Sequence, residues 1–280
     1  MRSRSATLGL LALLFLCGCS ASVRRTEGKS ILWISRKEAS KFVEKLGYTN
    51  AYANVSRAGN GDCLLVEFDD SRAYRVAIVS ADGIQVKELP GQSRLNDEAK
   101  PVFWLNEPAR TVQFATGHIL PTNTHTLNFI SDGRFVTMFD RRCLWIAHVE
   151  SPMKELIVFE RDEQVQKIVS YGDTLHLFVK GQPESQPRPD GWAVLKRYEY
   201  KLANGKAHLI QIQDFKFTWS VLDFDPETRL MIARSWDDMF PRAWLVNTTT
   251  GRRERLGFIR GYALFLKDPV IQRFRQRIDN

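Results

Sequence analysis

Carboxylates come in close pairs at three places: Asp69-Asp70, Asp223 with Asp225, and Asp237-Asp238. Two carboxyl groups facing each other across a cleft could hydrolyse a glycosidic bond. That chemistry needs them about 5–9.5 Å apart, a separation that closeness in sequence does not supply. The simpler reading makes Asp225 the turn acceptor before Pro226 and the other two pairs solvated loop acids. The five histidines are His118, His125, His148, His176 and His208, and none stands at helical spacing with another histidine and a glutamate. His118 and His125 share a loop, but two ligands do not make a metal site. His176, between Leu175 and Leu177, reads as a satisfied strand histidine. There is no Gly-x-Ser-x-Gly elbow and no phosphate loop, and Gly59-Asn60-Gly61 lacks the third glycine of a dinucleotide fingerprint. The sequence therefore implies no metal and no cofactor, and it assigns no catalytic residue. What it leaves for binding is arginine, acid and tryptophan. Of the seven tryptophans, Trp145 and Trp244 lie in apolar runs and read as core. Trp192 and Trp236 adjoin polar loops and are suited to anchoring a ligand or partner.

These side chains must be placed by short strands. From residue 51 to 266 the chain alternates strand-length apolar runs with turn residues, for example Cys63–Phe68, Leu144–Val149, Leu175–Val179 and Leu230–Ala233. Several are apolar at consecutive positions, as in strands covered on both faces. One helix is expected near the start, where Ser35 and Glu38 form a capping box. Ala39, Phe42, Val43 and Leu46 follow at helical spacing, and Gly47 stops it. A second short helix follows Asp268-Pro269, read as a cap and first-turn pair, and carries a basic side through Arg273, Arg275 and Arg277.

The strands recur in a fixed grammar, clearest from Phe217 to Leu256: strand, the turn Asp225–Thr228, strand, a polar loop, strand, the turn Thr248–Gly251, and a charged last strand. This resembles the blades of Tol-type and WD-type periplasmic propellers, although no Gly-His pair opens a blade and Trp236-Asp237 sits in a loop. The resemblance implies an all-β fold, a five- or six-bladed β-propeller with short N-terminal and C-terminal helices, with a β-sandwich or large barrel as the alternative. Measured at Asn60, Glu107, Asp132, Gly172 and Pro226, the repeat steps are 47, 25, 40 and 54 residues, against roughly 40–50 for propeller repeats. Ile31–Ile34 and Tyr262–Leu266 are spare strands suited to closing the ring. In a propeller the loops joining second to third strands share one face. By this register they hold Asp69, Asp70, Arg72, Asp140, Arg141, Arg142, Asp190, Trp236, Asp237 and Asp238, with Trp192 just beyond; this rim is the expected partner- or ligand-binding face. Cys63 and Cys143, opening strands of separate blades, are expected to remain two thiols.

The first residues read as an export signal: Arg2 and Arg4, then the apolar run Leu8–Leu16, too short to span a bilayer. Leu16-Cys17-Gly18-Cys19 is similar to the lipobox of bacterial lipoproteins. That resemblance implies cleavage before Cys19, acylation of Cys19, and a cell-envelope location, with Ser20 favouring the outer membrane. Residues 1–18 are then the signal, 19–30 a lipidated tether and 31–280 one propeller-like domain. The net charge of +8 falls to +6 once Arg2 and Arg4 are removed. Outside the cytoplasm such a balance suits anionic surfaces, and no clustered basic tract suggests nucleic acid. The expected role is a membrane-anchored binding or scaffolding module with a protein or an anionic envelope polymer as partner. A propeller-type carbohydrate-active hydrolase or lyase using loop carboxylates is the alternative.

Overall fold

Strand pairing starts earlier than the sequence suggests. The computed structural model describes residues 23–26, 29–49, 52–70, 73–96, 100–106, 109–121, 131–139, 144–159, 164–181, 194–215, 219–235 and 241–280. Strand β1 (Val23–Thr26) pairs antiparallel with β2 (Lys29–Ser35), so the stretch expected to be a tether up to residue 30 is partly sheet. Its last residues, Lys29 and Ser30, are buried. Helix α1 (Arg36–Lys45) begins where the capping box requires. The Ser35 hydroxyl accepts from the Glu38 amide at 3.1 Å, and the Ser35 amide donates to Glu38 at 2.8 Å. Its buried face is Ala39, Phe42 and Val43.

Five blades follow, each from one stretch of chain. The first is β3 (Tyr52–Ala58), β4 (Cys63–Asp70), β5 (Ala73–Ser80) and β6 (Ile84–Leu89). The second is β7 (Ser93–Leu95), β8 (Pro101–Asn106), β9 (Thr111–Phe114) and β10 (Ile119–Pro121). The third shows β11 (Phe135–Phe139), β12 (Leu144–His148) and β13 (Glu155–Phe159), with an isolated Ser131–Val136 bridge beside β11. The fourth is β14 (Gln164–Tyr171), β15 (Thr174–Gly181), β16 (Val194–Ala203) and β17 (Lys206–Asp214). The fifth is β18 (Ser220–Asp225), β19 (Leu230–Ser235), β20 (Arg242–Asn247) and β21 (Arg253–Phe258). All pairings are antiparallel. Strand β22 (Gly261–Leu266) then pairs with β2, which joins the two ends of the described chain in a closing sheet, β1-β2-β22.

Among the described residues no strand ladder joins one sheet to the next. The sheets are held face to face by apolar side chains, as propeller blades are, which sets aside the sandwich and the barrel. A separate apolar cluster fills each gap between neighbours, including the gaps on either side of the closing sheet. The gap between the fourth and fifth blades is typical. Phe178 and Phe224 are fully buried with ring centroids 5.0 Å apart, and Trp219 stacks on Trp244 at 5.0 Å. Each such buried side chain contributes about 1.5–3 kcal/mol, so the ring is stabilised around its whole circumference.

Helix α2 (Asp268–Asp279) packs on α1 through Phe42 and Phe274, 4.8 Å apart. Asp268 is not its cap: Lys267 holds the N-cap position, and the Asp268 carboxylate accepts from the Ser30 hydroxyl at 2.6 Å. The basic side is also no free patch. Arg273 donates to the Ala81 carbonyl, and Arg275 to Glu38 and the Trp33 carbonyl.

One repeat step needs correcting. Residues 106–111 join the second and third strands of the second blade, whereas Asn60 lies in a turn between first and second strands. The equivalent turn in the second blade is marked by Asn96 and Lys100, bonded amide to carbonyl at 2.9 Å. Measured at Asn96, the steps become 36, 36, 40 and 54, and the anomalous 25 disappears.

Candidate functional site

The inner strands β3, β7, β14, β18 and β22, with the start of the third blade, enclose a central cavity of about 530 Å³. Its chemistry centres on Asp223, a fully buried carboxylate at which four sheets meet. Arg57 of β3 donates through Nε to Oδ2 at 2.7 Å, and the Phe265 amide of β22 reaches the same oxygen at 2.9 Å. The Phe224 amide of β18 itself donates to Oδ1 at 2.9 Å, and Lys167 of β14 stands 3.4 Å from that oxygen. Burial alone would raise the Asp223 pKa, but Arg57 and Lys167 outweigh it and hold the carboxylate below its usual range. Arg57 also donates to the Phe224 carbonyl at 2.7 Å, and Lys167 to the Leu222 carbonyl at 3.0 Å.

Local irregularities aim these groups. The β14–β15 register shifts between Val165 and Lys167, and the β18–β19 register between Val221 and Asp223. A bulge re-aims the residues that follow it, and here one precedes each of the two side chains that meet. A second carboxyl, Glu67 of β4, also lines the cavity. Burial pushes its pKa up, partly opposed by Arg94 at 3.9 Å.

Around the turns joining first to second strands lies another cluster. Lys29 Nζ donates to Asn60 at 2.6 Å, Asp225 at 2.6 Å and Glu227 at 2.9 Å. The Tyr171 hydroxyl donates to Glu227 at 2.8 Å, and the Thr228 hydroxyl to Asp225 at 2.6 Å. The hydrogen bonds from Lys29 and Tyr171 lower the Glu227 pKa to about 2. Asp225 is thus the turn acceptor expected, and an ion-pair partner for a lysine 196 residues away.

His176 departs from expectation. It is buried, but its Nδ1 has no hydrogen-bond partner and lies 3.9 Å from Glu199. Burial lowers its pKa to about 4, with Glu199 opposing and Arg197 and Arg229 assisting. Arg229 grips Glu199 through two bonds of 2.7 and 3.0 Å, and Arg197 donates to Thr248 at 2.9 Å. This polar network ties the fourth blade to the fifth.

The expected rim is largely outside the described residues, which exclude Arg72, Asp140, Arg141, Arg142, Cys143, Asp190, Trp192, Trp236, Asp237 and Asp238. Asp69 is exposed at the end of β4, with Asp70 next to it. Three of the four connections join second to third strands, leaving the blades at the pairs Asp70–Ala73, Gly181–Val194 and Ser235–Arg242; the fourth, at Phe139–Leu144, joins β11 to β12, the first two described strands of the third blade. None of the Asp223 and Lys29 partners belongs to those connections. Sequence reasoning had named Asp223 and Asp225 but not Lys29, Arg57, Glu67, Arg94 or Lys167. An acid inside the apolar run Val221-Leu222-Asp223-Phe224 was a usable signal, because a buried carboxylate demands a partner. Among the described residues there is no group of three histidine, cysteine or acidic side chains that could hold a metal ion, and no helix long and apolar enough to cross a membrane.

No protein-family profile and no curated protein matches this chain. Solved structures similar to it include the β-propeller domain of the Trilobed protease from Pyrococcus furiosus. That domain is 15% identical over 75% of this chain and 71% of its own, with a TM-score of 0.41. The dihydro-heme d1 dehydrogenase NirN is 8% identical over 87% of this chain and 56% of its own, with a TM-score of 0.39. The oligogalacturonate lyase of Vibrio parahaemolyticus is 10% identical over 85% and 84%, with a TM-score of 0.34. The chain is a β-propeller with a central cavity, and at these identities the likenesses bear on the fold alone.

Proposed function

We propose that this protein is an exported, lipid-anchored binding module whose ligand enters the central channel. One observation carries the reading: the channel's strongest carboxylate is fully engaged. Asp223 Oδ2 accepts two hydrogen bonds and Oδ1 one, Lys167 lies 3.4 Å from Oδ1, and the side chain is buried, so protein groups hold this carboxylate in place of a guest. Hydrolysis by paired acids needs one carboxyl to act as base or nucleophile on the substrate, and Asp223 is not placed to do so. The lipid on Cys19 would fix the channel beside the membrane, since only residues 20–22 separate that cysteine from β1. The rim carrying Arg142 and Trp236 is proposed as a protein-docking face next to it.

An enzyme reading would turn on Glu67, a carboxyl of the cavity lining whose pKa burial raises, as for a general acid. Glu67→Gln separates the two readings. A binding module keeps its ligand affinity in that variant, whereas a hydrolase or lyase would lose turnover on its oligosaccharide. The anchoring half is tested by mass spectrometry of the mature N-terminus. Acylated Cys19 supports it, and an unmodified start elsewhere overturns it.

A further inference from the structure

The channel does not present its two signs of charge equally. Asp223 and Glu67 have side chains 0% and 7% exposed, while the cations beside them, Arg57, Lys167 and Arg94, are 12%, 28% and 37% exposed. The acids lie behind and the cations face the lumen. Arg57 uses Nε on Asp223 and one terminal nitrogen on the Phe224 carbonyl; its other terminal nitrogen has no partner among the described residues. Lys167 directs a proton to the Leu222 carbonyl and leans on Asp223, which leaves donor capacity on a three-proton ammonium. Both are held by the same carboxylate, so their open donors are neighbours. Arg94 makes only the long 3.9 Å contact with Glu67. The walls beside these cations are apolar, with Leu95, Ile168, Leu222 and Ala263 among them.

We propose that the channel binds a small anion. Its carboxylate or phosphate group would sit on Arg57 and Lys167, and its body would lie along the apolar wall under the field of Arg94. The inference deepens the channel-binding reading and rests on it. A cavity of about 530 Å³ has the size of small-molecule sites and cannot enclose a folded partner. Arg57 and Lys167 are oriented before any guest arrives, because Asp223 and the Leu222 and Phe224 carbonyls fix them. A neutral guest would leave those donors uncompensated, and a cationic one would meet like charge.

The test is calorimetric titration of the purified full-length protein in detergent with phenyl phosphate, benzoate and benzyl alcohol at fixed ionic strength. The expected result is one site per chain for the two anions and none for the alcohol. Lys167→Met should weaken the anions about tenfold, the consequence of losing one charge-assisted hydrogen bond, and Arg94→Gln should weaken them by less. Lys167→Met keeps the Arg57–Asp223 pair, and a native circular dichroism spectrum confirms that it folds. If benzyl alcohol binds as tightly as the anions and competes with them, channel binding stands and the anion inference falls. If no probe binds, both fall. If the anions bind but neither substitution matters, the anion site lies elsewhere and the inference is overturned. The ranking of phenyl phosphate against benzoate tells a phosphate source from a carboxylate source.

Discussion

Replacing Asp223 by Asn keeps the shape of the side chain and removes the charge on which four sheets converge. The amide offers one acceptor oxygen where the carboxylate offered two, and it points an N–H group at a site surrounded by donors. Arg57 Nε at 2.7 Å, the Phe265 amide at 2.9 Å and the Phe224 amide at 2.9 Å cannot all be satisfied. Removing one partner of a buried ion pair costs about 3–5 kcal/mol. Lys167, partly exposed, can turn into the channel, so the lower end, about 3 kcal/mol, applies. For a chain of this size that lowers the melting temperature by roughly 6–12 °C. The assay is urea unfolding with the exposed Asp82→Asn as control, a change expected to stay within about 0.5 kcal/mol. Adding Lys167→Met to Asp223→Asn removes one uncompensated cation and should recover about 1 kcal/mol. A loss below about 1 kcal/mol for Asp223→Asn, or no recovery in the double variant, would refute the claim that this carboxylate organises the channel.

Four other outcomes follow from the same geometry. His176 has a folded pKa of about 4 against an ordinary 6.5, so the unfolded chain takes up this proton first. Stability should be unaffected above pH 6.5 and fall as the pH drops from 6.5 to 4, by up to about 3 kcal/mol. Urea midpoints at pH 7, 5.5 and 4 for the parent and His176→Gln check this, and parallel curves would exclude it. Lys29→Met strands the buried Asp225, so amide exchange in β2 and β22 should rise together while that in β12 stays slow. Gly133 adopts φ +90°, and an added Cβ would come within 2.5 Å of Asn96 Cα and 2.6 Å of the Leu95 carbonyl. Gly133→Ala should therefore cost more than about 1 kcal/mol in urea unfolding, and an unchanged midpoint would mean the second and third blades do not meet there. Cys19→Ser should move the protein from the membrane fraction to the soluble fraction; retention in the membrane would remove the lipid anchor from the account.

The fold was largely legible because its punctuation is local. The capping box at Ser35, the turn Asp225–Thr228 and the turn Thr248–Gly251 each act within four residues, and each lies where expected. The turn after β7 was missed because Asn96 and Lys100 bound a segment without glycine or proline, whereas Pro108 supplied a misleading signal nearby. In sequence Lys29 reads as tether because its neighbours are polar. Only the ring brings Asp225 to it and makes its burial favourable. The channel was illegible for a different reason. Arg57, Lys167 and Asp223 are far apart in sequence, and in two of the three strands a bulge changes which face a residue takes. Period-two reading puts Asp223 and Asp225 on one face, yet one meets Arg57 and the other Lys29.

The channel, not the outer rim, is proposed to hold the ligand. A crystal structure of the protein extracted from its own membranes and soaked with phenyl phosphate tests it most directly. The prediction is difference density for the phosphate against Arg57 and Lys167, absent from a Lys167→Met crystal treated identically. An empty channel, with phenyl phosphate found instead on the loops carrying Arg142 and Trp236, would contradict it.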